Sequence, residues 1–274
     1  MATALLEWME QHLEPTARKE PTILVLPRML RDSKCRWEAV AATDRGLVRQ
    51  GNEDAYGLRV EEGAFVVCDG MGGAAAGEVA SHMATESFLA WLEGADRLDA
   101  ATVRQAVRSA DDAIRNASSK DSALRGMGTT LVALLVQQDS SRAWLTHAGD
   151  SRCYRLRESH LEQLTADHSF VEEQVRSGQL TPEEAQRSPL RNVITRAIGS
   201  SEPTEPEITE VDLSPGDVYL LCSDGLTREV RDEKLRTVLN EEKNLTLACT
   251  DLVRMANASG GRDNITCMLV RAAQ

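Results

Sequence analysis

Four aspartates stand at the ends of apolar runs, each inside a turn-forming context. Asp69 lies in Val66-Val67-Cys68-Asp69-Gly70-Met71-Gly72-Gly73, Asp150 in His147-Ala148-Gly149-Asp150-Ser151-Arg152, Asp224 in Leu220-Leu221-Cys222-Ser223-Asp224-Gly225-Leu226, and Asp263 in Gly260-Gly261-Arg262-Asp263-Asn264-Ile265-Thr266. Taken singly, each is an ordinary turn aspartate whose carboxylate bonds nearby backbone. Taken together, four strand ends that converge would place like charges side by side, which is tolerable only with protons or cations between the oxygens. Oxygen donors without nearby Cys or His pairs suit Mg²⁺ or Mn²⁺ and disfavour zinc. A fifth segment, Arg49-Gln50-Gly51-Asn52-Glu53-Asp54, puts an arginine shortly before two carboxylates. Its plain reading is a polar loop with a local ion pair. Its chemical reading is that Glu53 and Asp54 reach a metal through water while the Arg49 fork grips a phosphate oxygen.

Short apolar stretches bounded by glycine and acidic turns must position these residues. The pattern predicts strands over Trp37–Thr43, Ala55–Val60, Ala64–Cys68, Thr129–Val136, Ala143–Ala148, Cys153–Arg157, Asp217–Cys222 and Ile265–Val270, with a hairpin turned at Glu61-Glu62-Gly63. Helical spacing predicts Gly77–Leu92, through Val79, Met83, Phe88 and Leu92, and Thr102–Ala117, through Val103, Val107, Ala110 and Ile114. Further helices are expected over Asp232–Glu242 and Leu245–Ala258, and a helix start at Thr181-Pro182-Glu183-Glu184, where threonine caps and proline occupies the first turn. Strand runs interrupted by paired helices, without strict alternation, define an α+β class with largely antiparallel sheets whose outer faces helices cover. Residues 1–36 read as an extension, with a short amphipathic helix over Leu5–Leu13 and prolines around Ile23–Leu26, and residues 166–201 as a polar, partly helical insertion.

Lysine and arginine number 31 against 43 acidic residues, leaving a net charge of −12 that opposes binding to nucleic acid or anionic lipid. No apolar stretch approaches a membrane span. The opening Met-Ala-Thr, with Glu7 and Glu10 among the first apolar residues, is not the basic-then-apolar order of a secretory signal, so a cytoplasmic location is expected. The six cysteines form no C-x-x-C pair, and Cys68, Cys153, Cys222 and Cys267 read as reduced core residues.

Arg-x-x-Asn-Glu-Asp at 49–54, Asp-Gly-Met-Gly-Gly at 69–73, Gly-Met-Gly-Thr-Thr-Leu at 126–131, Gly-Asp-Ser-Arg at 149–152, Ser-Asp-Gly-Leu at 223–226 and Arg-Asp-Asn at 262–264 occur in that order. Together they resemble the metal-dependent PPM family of serine/threonine protein phosphatases, the type 2C phosphatases, in their bacterial form. The resemblance covers roughly residues 37–272. It implies an αββα sandwich of two antiparallel sheets between helices, in a phosphatase domain over 37–274 with a flap at about 166–201. It implies a site of two Mn²⁺ or Mg²⁺ ions, with a third held more weakly. Asp69 would bridge the two ions, the Gly70 carbonyl would ligate the second, and Asp224 and Asp263 the first. Glu53 and Asp54 would act through water, Asp150 with Asp224 would hold the third ion, and Arg49 would bind phosphate. Hydroxide bridging the two ions would attack phosphorus in phosphoserine or phosphothreonine in line, with no protein nucleophile. Phosphorylated proteins would be the substrates, and a serine/threonine kinase the opposing enzyme.

Two positions depart from relatives. Met71 stands, as in bacterial relatives, where many eukaryotic members carry a histidine, which leaves the general acid unassigned, with metal-held water the candidate. Ser188-Pro189-Leu190-Arg191-Asn192 replaces the His-Pro-x-x-Asn of many bacterial flaps, so substrate contacts and third-metal behaviour are open there. Two other readings compete. Gly70-Met71-Gly72-Gly73-Ala74-Ala75 fits a dinucleotide fingerprint, yet Asp69 would face a pyrophosphate and the other acidic motifs would go unexplained. A phosphoprotein-binding regulator without activity would have lost a ligand or Arg49, and none is missing. Cys68 reads as core rather than nucleophile, and His147 and His168 as structural.

Overall fold

A computed structural model of the protein describes residues 22–24, 37–72, 76–93, 95, 98–137 and 141–272. The expected helix at Leu5–Leu13 lies outside these residues, as does Cys35.

In chain order the strands are β1 (Thr22–Leu24), β2 (Trp37–Asp44), β3 (Asp54–Arg59), β4 (Ala64–Met71), β5 (Gly128–Thr129), β6 (Leu131–Val136), β7 (Arg142–Ala148), β8 (Arg152–Arg157), β9 (His160–Gln163), β10 (Glu207–Asp212), β11 (Val218–Cys222) and β12 (Ile265–Ala272). The helices are α1 (Ala76–Glu93), α2 (Ala100–Lys120), α3 (Phe170–Arg176), α4 (Pro182–Arg187), α5 (Asp224–Thr227), α6 (Asp232–Glu241) and α7 (Leu245–Ser259). One antiparallel sheet has the order β1-β2-β12-β11-β8-β9, the other β10-β7-β6-β4-β3, with β5 on the end of β4.

Alternation along the strands builds the layers. On β4, Ala64, Val66 and Cys68 face α1 and α2, while Phe65 and Val67 face the opposite sheet. On β11, Val218, Leu220 and Cys222 face α6 and α7, while Tyr219 and Leu221 enter the space between the sheets. A strand buried on both faces has no polar side to show, which is why β6 reads as an unbroken apolar run. The result is helix, sheet, sheet, helix: the αββα sandwich.

The helices follow their sequence signals. Asp99 caps α2 by accepting the Thr102 N–H, and Val103, Val107, Ala110 and Ile114 are buried beneath it. Thr181 and Glu184 form a reciprocal capping box on α4, with Pro182 in its first turn. In α1 the innermost face differs from the expected one. Ala80, Ala84 and Phe88 are fully buried, and Val79, Met83 and Leu92 flank them only partly buried. Small side chains at four-residue spacing let the helix sit close to the sheet, a packing effect that hydrophobicity alone does not register.

Strands β9 and β10, half polar and at sheet edges, carry too little apolar alternation to be legible in sequence. Strand β1, Thr22–Leu24, pairs antiparallel with β2. The described cysteines are reduced and buried. Among the described residues, no helix is long and apolar enough to cross a membrane.

Candidate active site

The two sheets end together at one side of the sandwich, and the acidic motifs lie there. Asp54 opens β3 directly opposite Asp69 near the end of β4, so two carboxylates are cross-strand partners. Asp69 is held by its backbone. Its N–H donates to Thr130 Oγ1 at 2.9 Å, and its carbonyl accepts from Thr130 N–H at 2.8 Å and Thr129 Oγ1 at 2.9 Å. This is the work of the Gly-Met-Gly-Thr-Thr-Leu motif. Thr130 Oγ1 also meets Ser151 Oγ at 2.6 Å, linking the Asp69 strand end to the Asp150 turn.

Gly70 donates to the Glu53 carbonyl at 3.1 Å, and a Cβ there would lie 2.1 Å from the Gly77 carbonyl oxygen. Only glycine permits this approach of β4 to the start of α1. Glu53 then rests over the same helix start, with Oε1 buried and without a partner.

The loop carrying Arg49 is stitched down by Asn264. Asn264 Oδ1 accepts from Glu53 N–H, and its amide donates to the Arg45 and Gly51 carbonyls, each at 2.9 Å. Gly46, at φ +78°, lies so close to the Asp263 carbonyl that a Cβ would sit 2.2 Å from its oxygen. Arg49 is thereby placed at the mouth of the site, its side chain 46% exposed, donating to Asp263 Oδ2 at 2.9 Å and 3.6 Å from Glu53 Oε2.

Asp224 starts α5 just after β11. The preceding Ser223 accepts Thr266 N–H at 3.0 Å and donates to Asp54 Oδ2 at 2.8 Å, joining the two sheets at the site. Asp54, Asp150 and Asp224 are only 4%, 5% and 8% exposed. Each keeps one carboxylate oxygen, Oδ1, buried with no hydrogen-bond partner. Burial raises the pKa of Asp54 to about 6. Burial followed by the charge of Asp54 raises Asp69 well above the carboxylate range, and burial followed by Asp150 does the same for Asp224. Burial also raises Asp150 and Glu53.

Orphaned buried acceptors are costly, and four of them belong to the motif carboxylates Glu53, Asp54, Asp150 and Asp224. All are hard oxygen donors. The set fits divalent Mg²⁺ or Mn²⁺, which would satisfy the free lone pairs and offset the mutual repulsion.

Sequence reading missed Arg228. It follows Asp224 by four residues, an acid-then-base spacing that brings side chains together on one helical turn, and this was the available signal. Its guanidinium meets Asp224 Oδ2, lies 3.5 Å from Asp150 Oδ2 and 3.7 Å from Asp263 Oδ2. Among the described residues, no three of these carboxylates bring one oxygen each within 4.8 Å of one another.

Arg152, from the Gly-Asp-Ser-Arg motif, forks onto Asp167 at 2.8 and 2.7 Å, tying down the start of the 166–201 segment. His147 and His168 support the same region. Gly149 N–H donates to His168 Nδ1 at 3.3 Å, and His147 Nε2 donates to the Ala166 carbonyl at 2.9 Å. With Glu207 they bring ligand-type atoms within 4.8 Å, but their rings stack nearly parallel at 4.5 Å and Arg196 lies 3.4 Å from His168 Nε2. Burial, the neighbouring ring and Arg196 lower His168 to about 4, so it is neutral and structural. Between the acidic end and the 166–201 segment lies a cleft of about 1230 Å³, lined by Arg49, Asp224, Arg228, Val171, Arg191 and Asn192 among others.

An αββα sandwich with clustered carboxylates at the joined sheet ends, and an arginine at their mouth, defines a metallohydrolase of phosphate esters. The protein phosphatase 2C family profile matches residues 44–270. The serine/threonine phosphatase stp of Listeria monocytogenes is 37% identical over 236 residues, which span 83% of this chain and 93% of that protein. The crystal structure of the Mycobacterium tuberculosis serine/threonine phosphatase PstP/Ppp superposes with a TM-score of 0.80 at 38% identity, covering 87% of this chain and 99% of that one. A PstP catalytic domain in complex with 2 manganese ions gives 0.79 at 37% identity over the same shares. The chain belongs to the protein phosphatase 2C family, as a serine/threonine protein phosphatase of bacterial type.

Proposed function

We propose that the acidic end of the sandwich is a two-metal centre at which phosphoserine and phosphothreonine in proteins are hydrolysed. Asp69, the Gly70 carbonyl, Asp224 and Asp263 are the residues assigned to hold two Mn²⁺ or Mg²⁺ ions, Glu53 and Asp54 act through water, and Asp150 with Asp224 offers a further, weaker position. The observation that carries this reading is the set of buried, unpartnered oxygens on Glu53, Asp54, Asp150 and Asp224. When bound, such ions supply an acidified water as nucleophile and positive charge for the phosphoryl oxygens.

The chain's own residues do the remaining work. Arg49, exposed at the mouth and able to present two N–H groups, grips a phosphoryl oxygen and orients the ester. Asn264 holds its loop in place, and Ser223 fixes which oxygen of Asp54 faces the centre. The open cleft beside the flap gives room for a polypeptide around the phosphorylated residue. Cys68 takes no part: burial pushes its thiol up to about 12, out of reach of a thiolate mechanism. A cytoplasmic location and a serine/threonine kinase as the opposing enzyme complete the proposal.

The test is phosphate release from a phosphothreonine peptide by chelator-stripped protein, with and without added Mn²⁺. Restoration by Mn²⁺ that is lost in Asp263→Asn supports the reading. Equal turnover with and without metal would sink it.

A further inference from the structure

Arg228 has no part in the reaction as proposed, yet it stands in the middle of the acids. We propose that Arg228 is a tethered cation that competes with a divalent ion for the Asp150–Asp224 carboxylate pair and so sets how weakly the last ion is held; the inference rests on reading this end as a metal centre.

The geometry carries it in three ways. One guanidinium nitrogen, Nη2, faces both Asp224 Oδ2 and, at 3.5 Å, Asp150 Oδ2, while Nη1 lies 3.7 Å from Asp263 Oδ2. The arginine therefore occupies the gap between the two aspartates. Second, it satisfies them only in part, because the other oxygen of each, Oδ1, stays buried and unpartnered. A planar group with a single positive charge cannot fill every lone pair that a small divalent ion could. Third, the tether is short and has an exit. Arg228 N–H bonds the Asp224 carbonyl at 2.8 Å, and its side chain is 36% exposed along the cleft. The guanidinium can leave toward solvent without disturbing Asp224.

Two other arginines of the motifs at this end are already committed. Arg49 pairs with Asp263 and Glu53, and Arg152 with Asp167. Arg228 alone among these bridges Asp150 and Asp224. In the absence of metal it offsets repulsion within the cluster. As divalent ions enter, their double charge at closer range displaces it, and each entry at this pair must overcome the pre-existing ion pair.

The experiment is calorimetric titration of MnCl₂ into the chelator-stripped full chain, alongside melting of the stripped and Mn²⁺-saturated forms. Arg228→Ala and Arg228→Gln are compared with wild type, each with and without Asp150→Asn. The proposal expects the weakest Mn²⁺ to bind about tenfold tighter or more in both arginine variants, consistent with removal of a competing unit charge. A third ion too weak to detect in wild type would become detectable. Asp150→Asn abolishes the gain, and the arginine variants melt lower only in the stripped state. The glutamine variant keeps the test alive if the alanine variant does not fold. Unchanged or weaker binding of the last ion in the arginine variants, with the tighter ions intact, would overturn the role of Arg228. Failure of wild type to bind any Mn²⁺ tightly would instead overturn the metal centre itself.

Discussion

Ser223 Oγ donates a 2.8 Å hydrogen bond to Asp54 Oδ2, and that bond joins the two sheets at the site. Ser223 follows β11 of one sheet, Asp54 opens β3 of the other, and both are buried. Ser223→Ala leaves an acceptor on Asp54 without its donor, at a cost of about 1–3 kcal/mol. Urea unfolding of the stripped protein measures the loss directly. A midpoint equal to that of wild type would show that the bond contributes nothing to the joint.

Asn264 binds the Arg49 loop through three hydrogen bonds, to Glu53 N–H and to the Arg45 and Gly51 carbonyls. Asn264→Ala frees that loop, so its defect is expected mainly as a raised KM for phosphopeptide, with kcat/KM down about tenfold or more through misplacement of Arg49. Kinetics on a phosphothreonine peptide and on a small aryl phosphate separate loop placement from general damage. Full activity on both would remove Asn264 from the account.

Arg49→Lys keeps the charge and loses the fork. If Arg49 binds phosphate by two N–H groups, kcat/KM falls about tenfold or more while Mn²⁺ affinity is retained. A lysine variant as active as wild type would reduce Arg49 to a point charge.

The stripped protein carries Asp54, raised to about 6 by burial, and Asp69 and Asp224, raised well above the usual carboxylate range by burial and neighbouring carboxylates. A carboxyl raised in the folded state contributes stability that is present below its unfolded pKa and lost as pH rises through the folded value. His168, lowered to about 4, works the other way, and its loss is confined to falling pH between about 6.5 and 4. From about pH 6.5 to 8 the histidine effect is spent and Asp54 is largely ionised, so the remaining fall belongs to Asp69 and Asp224, whose carboxyls are raised well above the usual range. The melting temperature of stripped protein therefore falls across that window, and saturating Mn²⁺ removes most of the fall. A stripped protein that stabilises as pH rises would contradict the clustering of these acids.

Cys68 lies beside Asp69 in the chain but faces the helices from within the core, with its thiol pushed up to about 12. Cys68→Ala retains phosphatase activity within a few-fold and loses about 1–2 kcal/mol of stability from the small cavity. Loss of turnover in a folded variant would reopen a thiol mechanism.

Most of the architecture was legible because burial on both faces of a strand and one face of a helix leaves a plain periodic trace, as in β6 and α2. The edge strands β9 and β10 were not, since half-polar edges carry no such period. The inner face of α1 was misjudged because Ala80 and Ala84 are placed by fit rather than by hydrophobicity. The acidic motifs that the fold gathers at one end of the sandwich are legible because each lies beside an apolar strand. The placement of Arg228 is not, because its distances to Asp150 and Asp263 run across the fold, which no local pattern encodes. Likewise Asn264 was visible as a motif letter, but its role as the stitch under Arg49 belongs to three-dimensional contacts.

The central claim is that the joined sheet ends hold divalent ions through Asp69, Asp224 and Asp263, and that hydrolysis depends on them. Mn²⁺ stoichiometry and phosphothreonine-peptide turnover, measured on the same samples of stripped wild type and Asp69→Asn, test it most directly. The account predicts at least two tightly bound ions and restored turnover in wild type, with both lost in Asp69→Asn. A folded Asp69→Asn protein that binds as many ions and turns over as fast as wild type would contradict it.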